Sequence, residues 1–324
     1  MDPQNLTTTV TEFVLLGLTQ IHQLKYFLFI FFLIVYIATW LENFIIIIIT
    51  VIADHRLHTP MYFLLANLAF MDVSESSVSA PNLLSGLLSK RKTVPFNQCI
   101  LQMFFFHLIG SAIVFFLVVM AIDRYVAMCK PLRYLTILNR GVCMGLVALS
   151  WLGGLAHSAV QIGLLIQLPF CGPNILDNFY CDVPQVIKLL ACSDTYLSEV
   201  GVIVFSVCLV FSCLVFIIVS YVQIFRSVLR IRSEQGRQKA FSTCLPHLIV
   251  VSLFLCTATF AYLKPTSSST AGLNLMVGVL YSVLPPIMNP IIYSMRNKEI
   301  KGAVSKWIGW RLPTKSKMSI FLLQ

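Results

Sequence analysis

Residues 197–225 read LSEVGVIVFSVCLVFSCLVFIIVSYVQIF, and after Glu199 the stretch carries no charged side chain. As an α-helix it exceeds the roughly 20 residues needed to cross a hydrocarbon core about 30 Å thick. It is far too long for a strand of a membrane barrel, which takes about 9–11 residues. Six further apolar runs accompany it, at 25–52, 60–88, 99–122, 140–166, 239–263 and 271–294. They predict an all-α membrane protein built as a seven-transmembrane helix bundle. Thr59-Pro60 is expected to open the second span as N-cap and first-turn proline. Arg140, Lys239 and Lys264 mark ends where the chain meets water.

Composition leads to the same place. Only 11% of the residues are charged and 58% are hydrophobic, whereas soluble domains carry about 25% charged residues. So little charge cannot cover a water-soluble protein of 324 residues. In a bilayer the apolar surface is solvated by lipid, and helices satisfy their own backbone groups.

The net charge of +10 does not point to nucleic acid, because no basic stripe carries interleaved aromatics. The basic residues sit instead in the connections and the C-terminal tail. Seventeen of the 23 Lys and Arg fall on one side, among them Arg56, Lys130, Arg133, Arg230 and Lys298. The other side holds Lys25, Lys90, Arg91, Lys92, Lys188 and Lys264. This asymmetry predicts an N-terminus outside and a C-terminus in the cytoplasm; the cluster at 90–92 is its local exception. The organisation expected is an extracellular N-terminus (1–24), a seven-transmembrane domain (25–297) and a cytoplasmic amphipathic helix with tail (298–324). No basic, apolar and small-residue succession marks a cleaved signal peptide at the N-terminus. Asn5-Leu6-Thr7 is a glycosylation sequon and would be used if this end is lumenal.

After the seventh run, Ile300, Ala303, Val304, Trp307 and Ile308 recur at helical spacing, with Lys298, Lys301 and Lys306 off that stripe. This predicts a short amphipathic helix on the inner leaflet, its basic residues toward anionic membrane lipid. Cys99, Cys171, Cys181 and Cys192 fall on the oxidising side and allow three pairings. No CxxC or paired-His spacing suggests zinc.

Met120-Ala121-Ile122-Asp123-Arg124-Tyr125-Val126-Ala127-Met128-Cys129 closes the third span, and Asn289-Pro290-Ile291-Ile292-Tyr293 closes the seventh. Together they resemble the rhodopsin-like G-protein-coupled receptors. Leu57-His58-Thr59-Pro60-Met61-Tyr62-Phe63, Lys239-Ala240-Phe241-Ser242-Thr243-Cys244 and Pro286-Ile287-Met288 running into Asn289 narrow the resemblance to the olfactory (odorant) receptors. So does the long loop from Leu168-Pro169-Phe170-Cys171-Gly172 to Ala191-Cys192-Ser193. The resemblance runs from Thr11 to about Lys306.

The resemblance implies disulfides Cys99–Cys181 and Cys171–Cys192. It implies a G-protein switch made of Asp123, Arg124, Tyr125, Tyr221, Asn289, Pro290 and Tyr293. The partner it implies is a heterotrimeric G protein of the stimulatory olfactory type that raises cyclic AMP. The location it implies is the cilia of olfactory sensory neurons. Asp72, in mid-span where a carboxylate is costly and usually functional, would have Asn43 and Asn289 as polar partners, and a sodium ion at Asp72 is compatible with that set.

The chain departs from the family pattern at several positions. Glu42 stands where Gly is usual, Glu75 adds an acid one turn beyond Asp72, and Ile113 stands where relatives often carry an acid. Leu255-Cys256-Thr257 and Pro246 replace the usual residues of the sixth span; Pro246 is expected to place a bend nearer its inner end.

The ligand pocket is expected among the third, fifth, sixth and seventh spans. His107, Gly110 and Ser111 share one face at i, i+3 and i+4. Facing candidates are Phe205, Ser206, Leu255, Thr259, Tyr262, Val279 and Ser282. Such a site is apolar with a few hydroxyls and an imidazole, and suits a small neutral volatile.

Rival functions find little in the sequence. HExxH, GxSxG, Walker A and GxGxxG are absent, so no enzyme and no cofactor is expected. Residues 271–294 hold no Lys for a retinal Schiff base, and residues 100–113 hold no acid for an amine ligand. Only the polar centre near Asp72 favours a channel or transporter, and no internal repeat supports the latter.

Overall fold

A computed structural model describes residues 11–15, 22–48, 59–89, 92–167, 174–176, 179–183, 186–187, 196–263, 271–296 and 302. Seven long helices carry the fold: α1 (His22–Ile48), α2 (Pro60–Leu88), α3 (Phe96–Cys129), α4 (Arg140–Leu165), α5 (Tyr196–Leu229), α6 (Glu234–Leu263) and α7 (Ala271–Arg296). Each apolar run of the sequence maps onto one of them, the end of the first, 49–52, lying outside the described residues. Among the described residues, α1, α3, α4, α5 and α6 are long and apolar enough to cross a membrane. The proposed tail helix apart from Gly302, and Asn5, Cys171 and Cys192, lie outside the described residues.

α3, α5 and α6 outrun their apolar stretches, because backbone hydrogen bonding continues where hydropathy stops. α3 begins at Phe96 and continues through Asp123-Arg124 to Cys129. α6 starts at Glu234 rather than Lys239; an acid suits the positive end of a helix, and the Ser233 hydroxyl accepts from Gly236 N at 3.3 Å. At α2, Thr59 is extended and Pro60 opens the helix, but the threonine side chain makes no cap bond. Its backbone carbonyl accepts from Tyr62 and Phe63 N instead. Asn139 does cap α4 with its side chain, accepting from Val142 N at 3.0 Å. Pro246 lies inside an uninterrupted α6.

α3 is the central column. Of its apolar window 72% is buried, against 6% for α5, so α5 presents most of its surface to the surroundings. Phe27, Phe31, Phe44, Phe211 and Phe216 are exposed, as lipid-facing side chains should be. The core joins Leu64, Leu68 and Met71 of α2 to Ala112, Phe116 and Met120 of α3 and to Tyr221 and Ile224 of α5.

α4 reaches α3 through small residues. A Cβ on Gly154 would sit 2.5 Å from the Leu108 carbonyl oxygen and 2.8 Å from Ala112 N. The backbones meet there, and the Ser158 hydroxyl donates to the Phe104 carbonyl at 2.7 Å. Without water between helices, small residues and hydrogen bonds hold such seams together.

One end of the bundle carries a small sheet that the helical periodicity did not announce. β1 (Glu12–Leu15) lies between β2 (Lys92–Pro95), antiparallel, and β3 (Ile175–Leu176), parallel. Phe13 and Leu15 of β1 pack with Val94, Leu176 and Val186 around the Cys99–Cys181 disulfide. Residues 12–15 are thus bonded into the body rather than forming a loose arm. The opposite end carries Arg124.

Candidate ligand pocket and switch

At the Arg124 end, two adjacent residues on the last turns of α3 are both buried, and each would be costly there alone. The Arg124 guanidinium pairs with the Asp123 carboxylate at 3.1 Å. Tyr134, on the helical turn Tyr134–Ile137 between α3 and α4, donates its hydroxyl to Asp123 Oδ1 at 2.6 Å. Burial and the adjacent carboxylate push the Tyr134 hydroxyl above the ordinary tyrosine range, so it stays a donor. Arg124 Nη1 also lies 3.1 Å from Met61 Sδ. Tyr125 is half-buried against the core.

Tyr221 is not bonded to Arg124. Its hydroxyl lies 2.7 Å from His247 Nδ1, and His247 Nε2 lies 3.1 Å from the Leu117 carbonyl. A carbonyl can only accept, so Nε2 carries the proton and Nδ1 accepts from the tyrosine. The two rings stack at 5.6 Å and 11°. This chain binds α5 to α6 to α3. Tyr293 on α7 approaches Met120 Sδ at 3.9 Å.

Midway along the bundle, Asn289 Nδ2 donates to Asp72 Oδ1 at 2.9 Å, joining α7 to α2 as the sequence pairing implied. Asn43 Nδ2 donates to the Pro286 carbonyl at 3.1 Å and to the Thr39 carbonyl at 2.9 Å. The first bond has a covalent cause. Pro290 has no N–H to give to the carbonyl four residues earlier, and that carbonyl is Pro286's. Asn43 supplies the missing donor from another helix. Glu75 is buried beside this group. One oxygen each of Asn43, Glu75 and Asn289 has no hydrogen-bond partner among the described residues.

Nearer the disulfide end, His107, Gly110 and Ser111 are buried on α3. Ser111 Oγ lies 2.7 Å from His157 Nδ1, and His157 Nε2 lies 3.1 Å from Ser206 Oγ. Phe205 stacks on the His157 ring at 5.5 Å and 18°. His107 Nε2 is buried with no partner among the described residues. Four of the expected pocket residues, His107, Ser111, Phe205 and Ser206, are thus gathered around one that was not expected, His157. The available signal was the polar succession His157-Ser158-x-x-Gln161 following Gly153-Gly154 on an otherwise apolar span.

Three further pocket candidates, Val279, Leu255 and Ser282, sit apart from that group. Val279 packs with Phe106, Phe179 and Tyr180. Leu255 lies with Val114, Leu117 and Phe254 between α3, α5 and α6. Ser282 lines a small cavity with Thr39, Ser76 and Ser79 between α1, α2 and α7. Thr259 and Tyr262 lie on α6, with side chains outside the described set.

Similarity to known proteins fits this arrangement. Residues 32–309 match the olfactory receptor family model. The chain is 47% identical to olfactory receptor 4E2 of Mus musculus, over 92% of this chain and 95% of that one. It is 48% identical to olfactory receptor 4D1 of Homo sapiens, over 94% and 97%. The squid rhodopsin crystal structure superposes with a TM-score of 0.61 at 19% identity, covering 90% of this chain and 87% of that one, which shows the seven-helix fold. The chain therefore belongs to the olfactory receptor family, as a multi-pass rhodopsin-like G-protein-coupled receptor and not an enzyme.

Proposed function

We propose that the chain binds a small, neutral volatile within the bundle near the disulfide end and activates a stimulatory olfactory-type G protein, raising cyclic AMP. The observation that carries this reading is the closed latch at the far end. Arg124 is buried against Asp123, Asp123 is held by Tyr134, and Tyr221 is engaged by His247. Such an arrangement describes a resting receptor. Activation would release Arg124 from Asp123 and Tyr221 from His247, opening the Arg124 end to a G protein. Asn289, Pro290 and Tyr293 of α7 would move with it, and Tyr125 would follow α3.

A neutral ligand fits the polar inventory of His107, Ser111 and Ser206, joined by Thr259 and Tyr262 of α6. None of these is a permanent charge, and a charged ligand would be buried unpaired at a cost of several kcal/mol. A sodium ion at Asp72 belongs to the same proposal. The unpartnered oxygens of Asn43, Glu75 and Asn289 are hard donors of the kind hard cations take.

In this reading the disulfide end and the N-terminus are extracellular, Asn5 is glycosylated, and Cys171–Cys192 forms a second bridge. Residues 298–308 lie on lipid at the cytoplasmic face, and the receptor works in the cilia of olfactory neurons. The test is a cyclic-AMP reporter in cells expressing the chain with the matched G protein, challenged with neutral volatiles. Arg124→Ala should reach the surface normally and give no response. Full signalling by that variant at equal surface level would remove the switch from this account.

A further inference from the structure

His157 projects from α4, away from the switch, yet its imidazole is bonded on both sides inside the bundle. We propose that His157 is the residue that reads the ligand's oxygen: a hydroxyl or carbonyl oxygen of the odorant takes the place of Ser206 Oγ at Nε2, while Ser111 keeps Nδ1. The inference rests on the odorant-receptor reading and names the group within that pocket that sets ligand class.

The two bonds of the ring are unequal. Ser111, on the central helix α3, is held at 2.7 Å, whereas Ser206, on the peripheral helix α5, is at 3.1 Å. A competitor displaces the longer bond first. Both partners are hydroxyls, whose protons rotate to suit the acceptor. The ring can therefore present either an N–H or a lone pair at Nε2. A ketone or aldehyde needs the N–H; Ser111 then donates to Nδ1. An alcohol can use either form. Phe205 stacked on the ring keeps its plane fixed during the exchange. His107, one turn before Ser111, adds a buried Nε2 without a partner among the described residues and lies within electrostatic reach of His157. The polar surface offered to a ligand is therefore not saturated in this state.

Displacing Ser206 also removes a hydrogen bond between α4 and α5, leaving the Phe205 stack in place. Tyr221 lies on the same helix about four turns further on, so the exchange unloads the helix that carries one arm of the switch.

The experiment compares dose–response curves for an alcohol, the aldehyde, the ketone and a hydrocarbon of equal carbon number, on the full chain, with surface level measured alongside. His157→Phe keeps ring stacking and volume while removing both nitrogens. It should shift responses to the oxygenated compounds by about tenfold or more and to the hydrocarbon by no more than about twofold. Ser206→Ala removes the rival and should make oxygenated ligands about fivefold more potent. A clasp that merely holds helices together predicts a loss shared by every ligand, hydrocarbon included, in both variants, and so the opposite sign for Ser206→Ala. That result would overturn the assignment of His157 while leaving the receptor reading intact. A wild-type chain silent to every neutral compound, yet driven by acids or amines, would overturn both.

Discussion

Two histidines bridge the same pair of helices in two different ways. His247, from α6, joins α5 to α3 through Tyr221 and the Leu117 carbonyl. His157, from α4, joins α5 to α3 through Ser206 and Ser111. Each ring also stacks on an aromatic ring of α5, Tyr221 in one case and Phe205 in the other. The difference lies in the partners. A backbone carbonyl dictates the His247 tautomer, whereas two hydroxyls leave that of His157 open. The first geometry suits a latch with one closed state. The second suits a site that must accept chemically different guests.

The strongest challenge to this comparison is at the covalent tie above His157. Cys99→Ser or Cys181→Ser should abolish surface expression, since losing a native disulfide typically costs about 2–5 kcal/mol. The double variant should be no worse than either single one. Surface labelling that showed strictly additive losses would mean the two thiols act separately.

The next largest effect is expected at the latch. His247→Phe keeps the stack on Tyr221 but leaves its hydroxyl without its partner, at roughly 1–3 kcal/mol if unrelieved, and takes from the Leu117 carbonyl its second donor. The resting state should lose ground, and basal cyclic AMP should rise several-fold at equal surface level. Unchanged basal and maximal signalling would show that this bridge does not restrain α6.

Gly154→Val probes the other bridge from its foundation. The added branches would meet the Leu108 carbonyl and Ala112 of α3, pushing α4 outward and drawing His157 from Ser111. Overpacking of this kind costs about 1–3 kcal/mol. Detergent-extracted receptor should melt several degrees lower, whereas the neighbouring Gly163→Ala, which meets nothing within 4 Å, should melt as wild type. Equal melting of the two would remove the close α3–α4 approach from the argument.

The smallest effect belongs to Tyr262→Phe. Losing one neutral hydrogen bond, worth about 1 kcal/mol, should weaken alcohols and ketones roughly fivefold and leave a matching hydrocarbon unaffected. Parallel shifts for all three would assign Tyr262 a packing role.

The bundle was legible because long apolar runs need no knowledge of their neighbours. The pairing of Asn289 with Asp72 was legible through the family resemblance. The links His157–Ser206 and Tyr221–His247 were not, because helical periodicity fixes which residues share a face but not how one helix is rotated against the next. Tyr134 escaped notice since it lies in a connection and meets Asp123 only when the chain turns after α3. β1 escaped for another reason: four residues, Glu12–Leu15, are too few for any period to show. Thr59 stands at the N-cap of α2 as its place before Pro60 implies, with its backbone carbonyl rather than its side chain making the bonds there.

The bond from Asn43 to the Pro286 carbonyl has a mechanical consequence. Hydrocarbon holds no water to replace a lost donor, and an exposed carbonyl there costs several kcal/mol. If α7 bends at Pro290 or slides during activation, α1 must travel with it or strand that oxygen. The first and last spans, whose bonded residues are 243 positions apart in the chain, are thereby yoked into one moving body. A displacement of α7 is then shared by α1, and a single asparagine decides that both ends of the seven-helix sequence travel together.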